Sequence, residues 1–138
     1  MTRRIAITGA PKAGKTPYAN RLASKLGVEV IHTDDYIDMG WSEASTHAAD
    51  VMTKPTTLVT EGVAVPRALR KMLEAHPDVK PVDEVHIVQR AGSQGLSGGQ
   101  AGMAAGLFTV LAEIRPALEA LGVEFKTVVE PMEPGHGD

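Results

Sequence analysis

Apolar residues occur in short runs that alternate with longer helical stretches. The short runs predict five strands: Arg4–Thr8, Val28–His32, Thr57–Thr60, Glu84–Gln89 and Glu124–Val129. The longer stretches predict four helices: Lys15–Leu26, Ser42–Thr53, Pro66–Ala75 and Met103–Leu121. Because this alternation has the spacing of βαβ units, we expect an α/β fold. Its sheet should be mainly parallel, with helices on both faces.

Glycines mark the predicted boundaries. Gly27 and Gly122 follow the last residues of two predicted helices and are typical C-terminal stops. The glycine-rich segment Ala91–Gly102 predicts a long mobile loop. We therefore expect a single domain over residues 1–130, followed by a flexible tail over residues 131–138.

Composition excludes several classes of protein. The chain has 138 residues, which fits one domain with its own core. It has no cysteine, so it has neither a disulfide scaffold nor a thiolate metal site, and it suits a reducing cytosol. Its net charge of −3 argues against a broad nucleic-acid surface. We expect no signal-like start and no apolar run of membrane length, hence a cytoplasmic protein without a membrane partner.

The segment between the first strand and the first helix carries the strongest motif. It reads Gly9-Ala10-Pro11-Lys12-Ala13-Gly14-Lys15-Thr16 and matches the phosphate-binding pattern G-x-x-x-x-G-K-[ST] at every fixed position. Glycines let backbone N–H groups point inward at a phosphate, and the helix N-terminus adds its positive dipole. Lys15 should reach the β- and γ-phosphates, and the Thr16 hydroxyl should ligate Mg²⁺. We expect the segment through Pro17 to bind a nucleoside triphosphate.

A second candidate site follows the second strand, in the run His32-Thr33-Asp34-Asp35-Tyr36-Ile37. Carboxylates at the carboxyl end of a parallel strand face the crevice where such sheets bind ligands. We predict that Asp34 is a general base that orients a substrate hydroxyl, with Asp35 in reserve. An Asp pair that only caps a turn is the alternative. Tyr36 and Trp41 either stack on a flat substrate or pack against the next helix.

A third candidate is Glu61, which ends the apolar strand before Gly62. An acid at this point can reach Mg²⁺ beside the phosphate-binding loop, so we predict that Glu61 contacts the metal. The alternative is that its carboxylate only caps the turn between strand and helix. Arg67 lies in the helix that follows and is predicted to contact an anionic substrate. With Arg70 and Lys71 it forms, on the other interpretation, a solvated basic face.

These segments resemble the small P-loop kinases, the group that includes shikimate, gluconate, uridine and nucleotide kinases. Shikimate-kinase-like proteins carry an Asp-Thr-Asp-x-x-Ile run, so Asp34 falls on their substrate-orienting Asp and His32 replaces their first Asp. Several members end the third strand in Glu-Gly or Asp-Gly, as Glu61-Gly62 does here. Over residues 4–90 the resemblance implies a three-layer fold with strand order 2-3-1-4-5. It also implies ATP and Mg²⁺ as cofactors.

In that family a lid after the fourth strand supplies arginines that stabilise the transferring phosphoryl group. The segment Ala91–Gly102 has no arginine. We therefore expect Gln94 and Ser97 to contact substrate, and Arg90 to supply the positive charge. The alternative sources of this charge are Arg67, Arg115 and another subunit of a homo-oligomer.

Three function classes stay open. The leading one is transfer of the γ-phosphate of ATP to a hydroxyl. The acceptor would be a small metabolite, a nucleoside or a hydroxymethylated base in DNA, as for the phage kinases that modify hydroxymethyluracil. The alternatives are a P-loop nucleotide hydrolase that acts as a switch and a non-catalytic nucleotide-binding subunit.

Overall fold

The computed structural model describes residues 2–10, 13–33, 43, 46, 49–50, 52–53, 56–90 and 98–130. Its strands are β1 (Arg4–Thr8), β2 (Val30–His32), β3 (Leu58–Glu61), β4 (Glu84–Arg90) and β5 (Glu124–Glu130). Its helices are α1 (Lys15–Leu26), α2 (Val65–Ala75) and α3 (Gly98–Ala120).

The five strands form one parallel sheet in the order β2-β3-β1-β4-β5. The central strand β1 pairs on both sides, with Ile7 opposite Glu61 of β3 and opposite His86 of β4. Because all strands run in the same direction, their carboxyl ends meet at one edge of the sheet. This arrangement confirms the predicted fold class and strand order.

Alternation along β1 divides the core into two layers. Ile5 and Ile7 pack on one face of the sheet with Ala19 and Ala23 of α1. Ala6 points to the other face, where the core contains residues of α2 and α3 such as Leu69 and Leu118. Side chains alternate between faces because the strand repeat is two residues. Helices therefore cover both faces, as expected for a buried parallel sheet.

Local capping explains where α1 ends and β2 begins. Gly27 has φ 69°, and its N–H bonds to the carbonyls of Ala23 and Ser24, which confirms the predicted helix stop. The Val28 N–H also bonds back to Ala23. The strand accordingly begins at Val30, two residues later than predicted. Gly122, with φ 96°, confirms the other predicted stop.

Helix α3 begins at Gly98, five residues before the predicted start at Met103. Gly98–Gly102, predicted as the end of a loop, is therefore helical. Each glycine costs a helix only about 1 kcal/mol relative to alanine, and Gln100 and Ala101 are good helix formers. Residues 91–97 of the predicted loop and the predicted tail 131–138 lie outside the described residues. The division into one domain and a tail stays a prediction.

Half of the predicted helix Ser42–Thr53 lies outside the described residues. The described residues Glu43, Thr46, Ala49, Asp50 and Met52 are helical. Ala49 and Met52 are buried in the same core as α2 and α3. These contacts support a helix on this face of the sheet.

Helix α3 corrects the expectation that no apolar run reaches membrane length. Ala101–Ala120 has a mean hydropathy of 1.3 and is long and apolar enough to cross a membrane. Length and composition alone are weak evidence for a span, because a core helix passes the same test. Here Leu107, Leu111, Ile114 and Leu118 are buried on one side of α3, so packing on the sheet accounts for these four residues, whereas Phe108 is exposed.

Candidate active site

The phosphate-binding sequence folds as the turn between β1 and α1. Gly9 lies so close to β4 that a Cβ there would be 2.4 Å from the Val88 carbonyl oxygen. Gly14 immediately precedes α1 and has φ 92°, a left-handed conformation that side chains disfavour. The geometry of the turn therefore requires glycine at both fixed positions of the motif. Gly9 is required because the backbone approaches β4 closely, and Gly14 because its backbone is left-handed.

The N-terminus of α1 presents its positive end toward this turn. Within the described part of the chain, no side chain caps the helix and its first turn contains no acid. The Ala13 N–H donates to the Ala10 carbonyl across 3.2 Å, which keeps the turn compact. Such an end attracts anions because its first N–H groups lack intrahelical partners. Pro17 follows in the first turn and is exposed; Pro11 and Lys12 lie outside the described residues.

Lys15 is the only lysine among the described residues that is buried, with 7% of its surface exposed. Its ammonium donates to the Ala10 carbonyl across 2.9 Å. The side chain is therefore folded back over the same turn. This hydrogen bond offsets part of the cost of burying the cation and holds the ammonium over the phosphate-binding turn.

Glu61 and Thr16 place two oxygen atoms that can bind a metal close together beside the phosphate-binding turn. The Thr16 hydroxyl lies 3.5 Å from Glu61 Oε1, a long and weak hydrogen bond. Glu61 is 2% exposed, and its Oε2 is buried with no hydrogen-bond partner among the described residues. A buried carboxylate oxygen without a partner is costly. Carboxylate and hydroxyl oxygens suit Mg²⁺, so these two side chains fit the predicted cation site.

His32 makes a contact that the sequence did not predict. Strands β2 and β3 pair with His32 opposite Glu61, and His32 Nδ1 donates to Glu61 Oε1 across 2.7 Å. The neighbouring Thr33 hydroxyl donates to the Glu61 carbonyl across 3.0 Å. The residue that replaces the first Asp of the resembling kinases thus touches the predicted metal-side acid.

Six residues predicted to bind or orient the substrate lie outside the described residues: Asp34, Asp35, Tyr36, Trp41, Gln94 and Ser97. Strand β2 nevertheless ends at His32, two residues before Asp34, at the edge where Glu61 ends β3. Arg90 ends β4 at that same edge, although its side chain is outside the described part of the structure.

The two other candidate arginines lie at opposite ends of the molecule. Arg67 is in the first turn of α2, and its guanidinium would lie 3.4 Å from a Cβ placed on Gly106 of α3. Arg115 stacks on Phe125, with its guanidinium carbon 4.6 Å from the ring centroid, and pairs with Glu119. Phe125 is the second residue of β5, so Arg115 lies at the edge remote from the phosphate-binding turn. This position argues against Arg115 as the catalytic arginine.

A buried polar chain lies behind α1. The Tyr18 hydroxyl is 2.6 Å from His86 Nδ1, and His86 Nε2 is 3.1 Å from Glu84 Oε1. Arg3 and Lys126 bond to the same carboxylate, at 2.9 Å and 2.8 Å. The Arg3 hydrogen bond is the main cause that holds the pKa of Glu84 far below its usual range. Burial lowers the pKa of His86, so the imidazole is neutral near pH 7.

A cavity of about 840 Å³ lies at the other edge of the sheet. It is lined by the start of β1, the end of α2 and the segment before β4, including Arg4, Lys71, His76 and Pro81. None of the predicted site residues that the structure describes lines it. The phosphate-binding turn, not this cavity, carries the chemistry described above.

Comparison with known proteins identifies the fold. No protein-family model and no curated protein sequence matches the chain. Three solved structures align with it: a gluconokinase from Sinorhizobium meliloti at 16% identity, a proposed kinase from Chloroflexus aurantiacus at 14%, and a shikimate kinase from Bacteroides thetaiotaomicron at 16%. In that order the TM-scores are 0.53, 0.51 and 0.44.

The alignments cover 96%, 100% and 90% of this chain, and 84%, 93% and 85% of the respective neighbours. The first two establish that the chain has the parallel α/β fold of these proteins. At such identities the similarity defines the fold alone.

Proposed function

We propose that this protein is a P-loop phosphotransferase that moves the γ-phosphate of ATP to a hydroxyl acceptor. The observation that carries the proposal is the conjunction of three features at one edge of the sheet. The phosphate-binding sequence folds between β1 and an uncapped helix. The buried Lys15 ammonium lies over that turn. The orphaned Glu61 oxygen lies in a side chain that touches Thr16.

Each feature has a role toward a triphosphate. The backbone amides of residues 9–17 would hold the phosphates, and Lys15 would stabilise charge on the β- and γ-phosphoryl oxygens. Thr16 and Glu61 would hold Mg²⁺ or a similar divalent cation. A cation held there would supply positive charge against the negative charge that develops on the phosphoryl group during transfer.

The acceptor side rests on residues at the same edge. Asp34 would take the proton of the attacking hydroxyl, while Asp35, Tyr36, Trp41 and Arg67 would hold the acceptor. Gln94 and Ser97 would contact substrate from the glycine-rich segment. Arg90 would supply the positive charge that stabilises the transition state.

The acceptor classes are a small polyol or hydroxy acid, a nucleoside and a hydroxymethylated DNA base. A gluconokinase among the structural neighbours favours testing small hydroxylated metabolites first. The net charge of −3 disfavours a broad DNA-binding surface. We further propose a cytoplasmic location, and a homo-oligomer if a neighbouring subunit completes the site.

An acceptor screen with γ-labelled ATP tests this function. Purified wild-type protein is incubated with pools of each acceptor class, and label is followed into organic product and into inorganic phosphate. Lys15→Ala is the inactive control, because it removes the ammonium while the alanine remains compatible with helix α1. Label on an acceptor that depends on Lys15 supports the proposal. Phosphate release alone across all pools supports the nucleotide hydrolase, and no turnover with intact ATP binding supports the non-catalytic subunit.

A further inference from the structure

The contact between His32 and Glu61 changes the chemistry of the cation site. Glu61 Oε1 receives both His32 Nδ1, at 2.7 Å, and the Thr16 hydroxyl, at 3.5 Å. One imidazole nitrogen and one hydroxyl oxygen therefore contact the same carboxylate oxygen. The run of shikimate-kinase-like proteins has an aspartate at the position of His32, so this nitrogen has no counterpart in that run.

We infer that His32 is a direct ligand of the divalent cation and that the site prefers Mn²⁺ over Mg²⁺. This inference rests on the proposed nucleotide function and concerns the same site. Mg²⁺ strongly prefers oxygen ligands, whereas imidazole is a ligand of transition metals. Mn²⁺ resembles Mg²⁺ in its affinity for carboxylate, carbonyl and water oxygens, and as a first-row transition metal it also accepts imidazole.

The positions of the donors are compatible with a shared cation. Metal–ligand distances of about 2.0–2.2 Å place neighbouring ligands roughly 3 Å apart. His32 Nδ1 and Glu61 Oε1 are already 2.7 Å apart, so a small movement would let both bind one cation. In the structure Nδ1 carries the proton of this hydrogen bond; cation binding would displace that proton, and the tautomer protonated on Nε2 would then present the Nδ1 lone pair to the metal.

The nucleotide must supply the remaining ligands. Among the described residues, no group of three or more His, Asp or Glu side chains could hold a metal by itself. His32, Glu61 and Thr16 give at most three protein donors, and six-coordinate cations need phosphate or water oxygens to complete the shell. Tight cation binding should therefore depend on nucleotide.

Metal binding to the protein with a non-hydrolysable ATP analogue tests the inference. Affinities for Mn²⁺ and Mg²⁺ are measured by competition for wild type, His32→Asp and His32→Gln. We expect the ratio of Mn²⁺ to Mg²⁺ affinity to fall about tenfold or more in both variants. His76→Gln, which changes an exposed histidine at the other edge of the sheet, is the matched control and should keep the wild-type ratio.

Pulsed EPR of bound Mn²⁺ separates direct ligation from mere positioning of Glu61. A nitrogen coupling that changes on [¹⁵N]histidine labelling and disappears in His32→Asp supports ligation. An unchanged affinity ratio without that coupling overturns the inference, even if both affinities fall together. Binding of the analogue alone is measured in parallel: if wild type does not bind it, the proposed function fails as well, whereas normal binding without histidine coupling overturns only the inference.

Discussion

Replacement of Gly9 by alanine tests the close approach between the phosphate-binding turn and β4. A Cβ at this position would lie 2.4 Å from the Val88 carbonyl oxygen, about 1 Å short of an ordinary contact. Val88 is fully buried in the sheet, so the strand has little freedom to move. The turn must therefore shift. Overpacking of this kind costs about 1–3 kcal/mol of unfolding free energy.

The displacement should affect activity as well as stability. A misplacement of about 1 Å near a catalytic centre can cost roughly a hundredfold in rate. We expect Gly9→Ala to fold, to unfold at lower urea concentration, and to lose ATP-analogue affinity together with about a hundredfold in phosphoryl transfer. Urea unfolding and equilibrium binding are measured on the same preparation.

Gly27→Ala is the matched control, because it has a strained backbone without a clash. Gly27 has φ 69°, and a Cβ there would meet nothing within 4 Å. Its replacement should cost about 1–2 kcal/mol of stability and leave nucleotide affinity unchanged. If Gly9→Ala binds the analogue as tightly as Gly27→Ala does, the turn does not approach β4 as described and the reasoning is refuted.

Three further predictions concern other parts of the site. Asp34→Asn should lower the transfer rate steeply at nearly constant ATP affinity, as measured by parallel kinetics and binding; a collapse of ATP binding instead would make Asp34 a metal ligand. Arg90→Ala should reduce turnover about a hundredfold while Arg115→Ala leaves it within a fewfold, and equal losses in a steady-state assay would contradict the placement of Arg115. Acid should destabilise the fold in two steps, which urea midpoints between pH 7.5 and 4 can follow. Below about pH 6.5 His86 takes up a proton in the unfolded chain but not in the folded protein, where burial lowers its pKa, so unfolding becomes easier. Below about pH 4.5 Glu84 likewise takes up a proton in the unfolded chain, while its depressed pKa keeps it ionised in the folded protein, and this further lowers the free energy of unfolding. His86→Gln should flatten the first step, and an unchanged pH profile would refute this assignment.

The parts of the site that lie within one strand–turn unit could be predicted from sequence. The phosphate-binding pattern fixes its own geometry, because Gly14 must adopt a left-handed angle just before the helix. Glu61 could be proposed in the same way, since an acid that ends a buried parallel strand lies at the ligand-binding edge. The strand order agreed with the resemblance to small P-loop kinases, because connections in such sheets follow few topologies.

Contacts between distant segments could not be predicted in this way. The pairing of His32 with Glu61 depends on the register of two strands that are separated by 25 residues of sequence. The stacking of Arg115 on Phe125 depends on how α3 lies across β5. The start of α3 at Gly98 was missed for a different reason. The glycine content of this segment indicated a loop, whereas the neighbouring residues favour a helix.

A crystal structure with a non-hydrolysable ATP analogue and Mn²⁺ tests the central claim most directly. The account predicts that the turn from Gly9 to Thr16 encloses the β- and γ-phosphates, with Lys15 moved from the Ala10 carbonyl to the phosphate oxygens. It predicts the cation between Thr16 and Glu61, and the open side of the γ-phosphate facing Asp34 across a space large enough for an acceptor hydroxyl. A nucleotide bound elsewhere, or a γ-phosphate sealed by protein with no space for an acceptor, would contradict the assignment as a phosphotransferase.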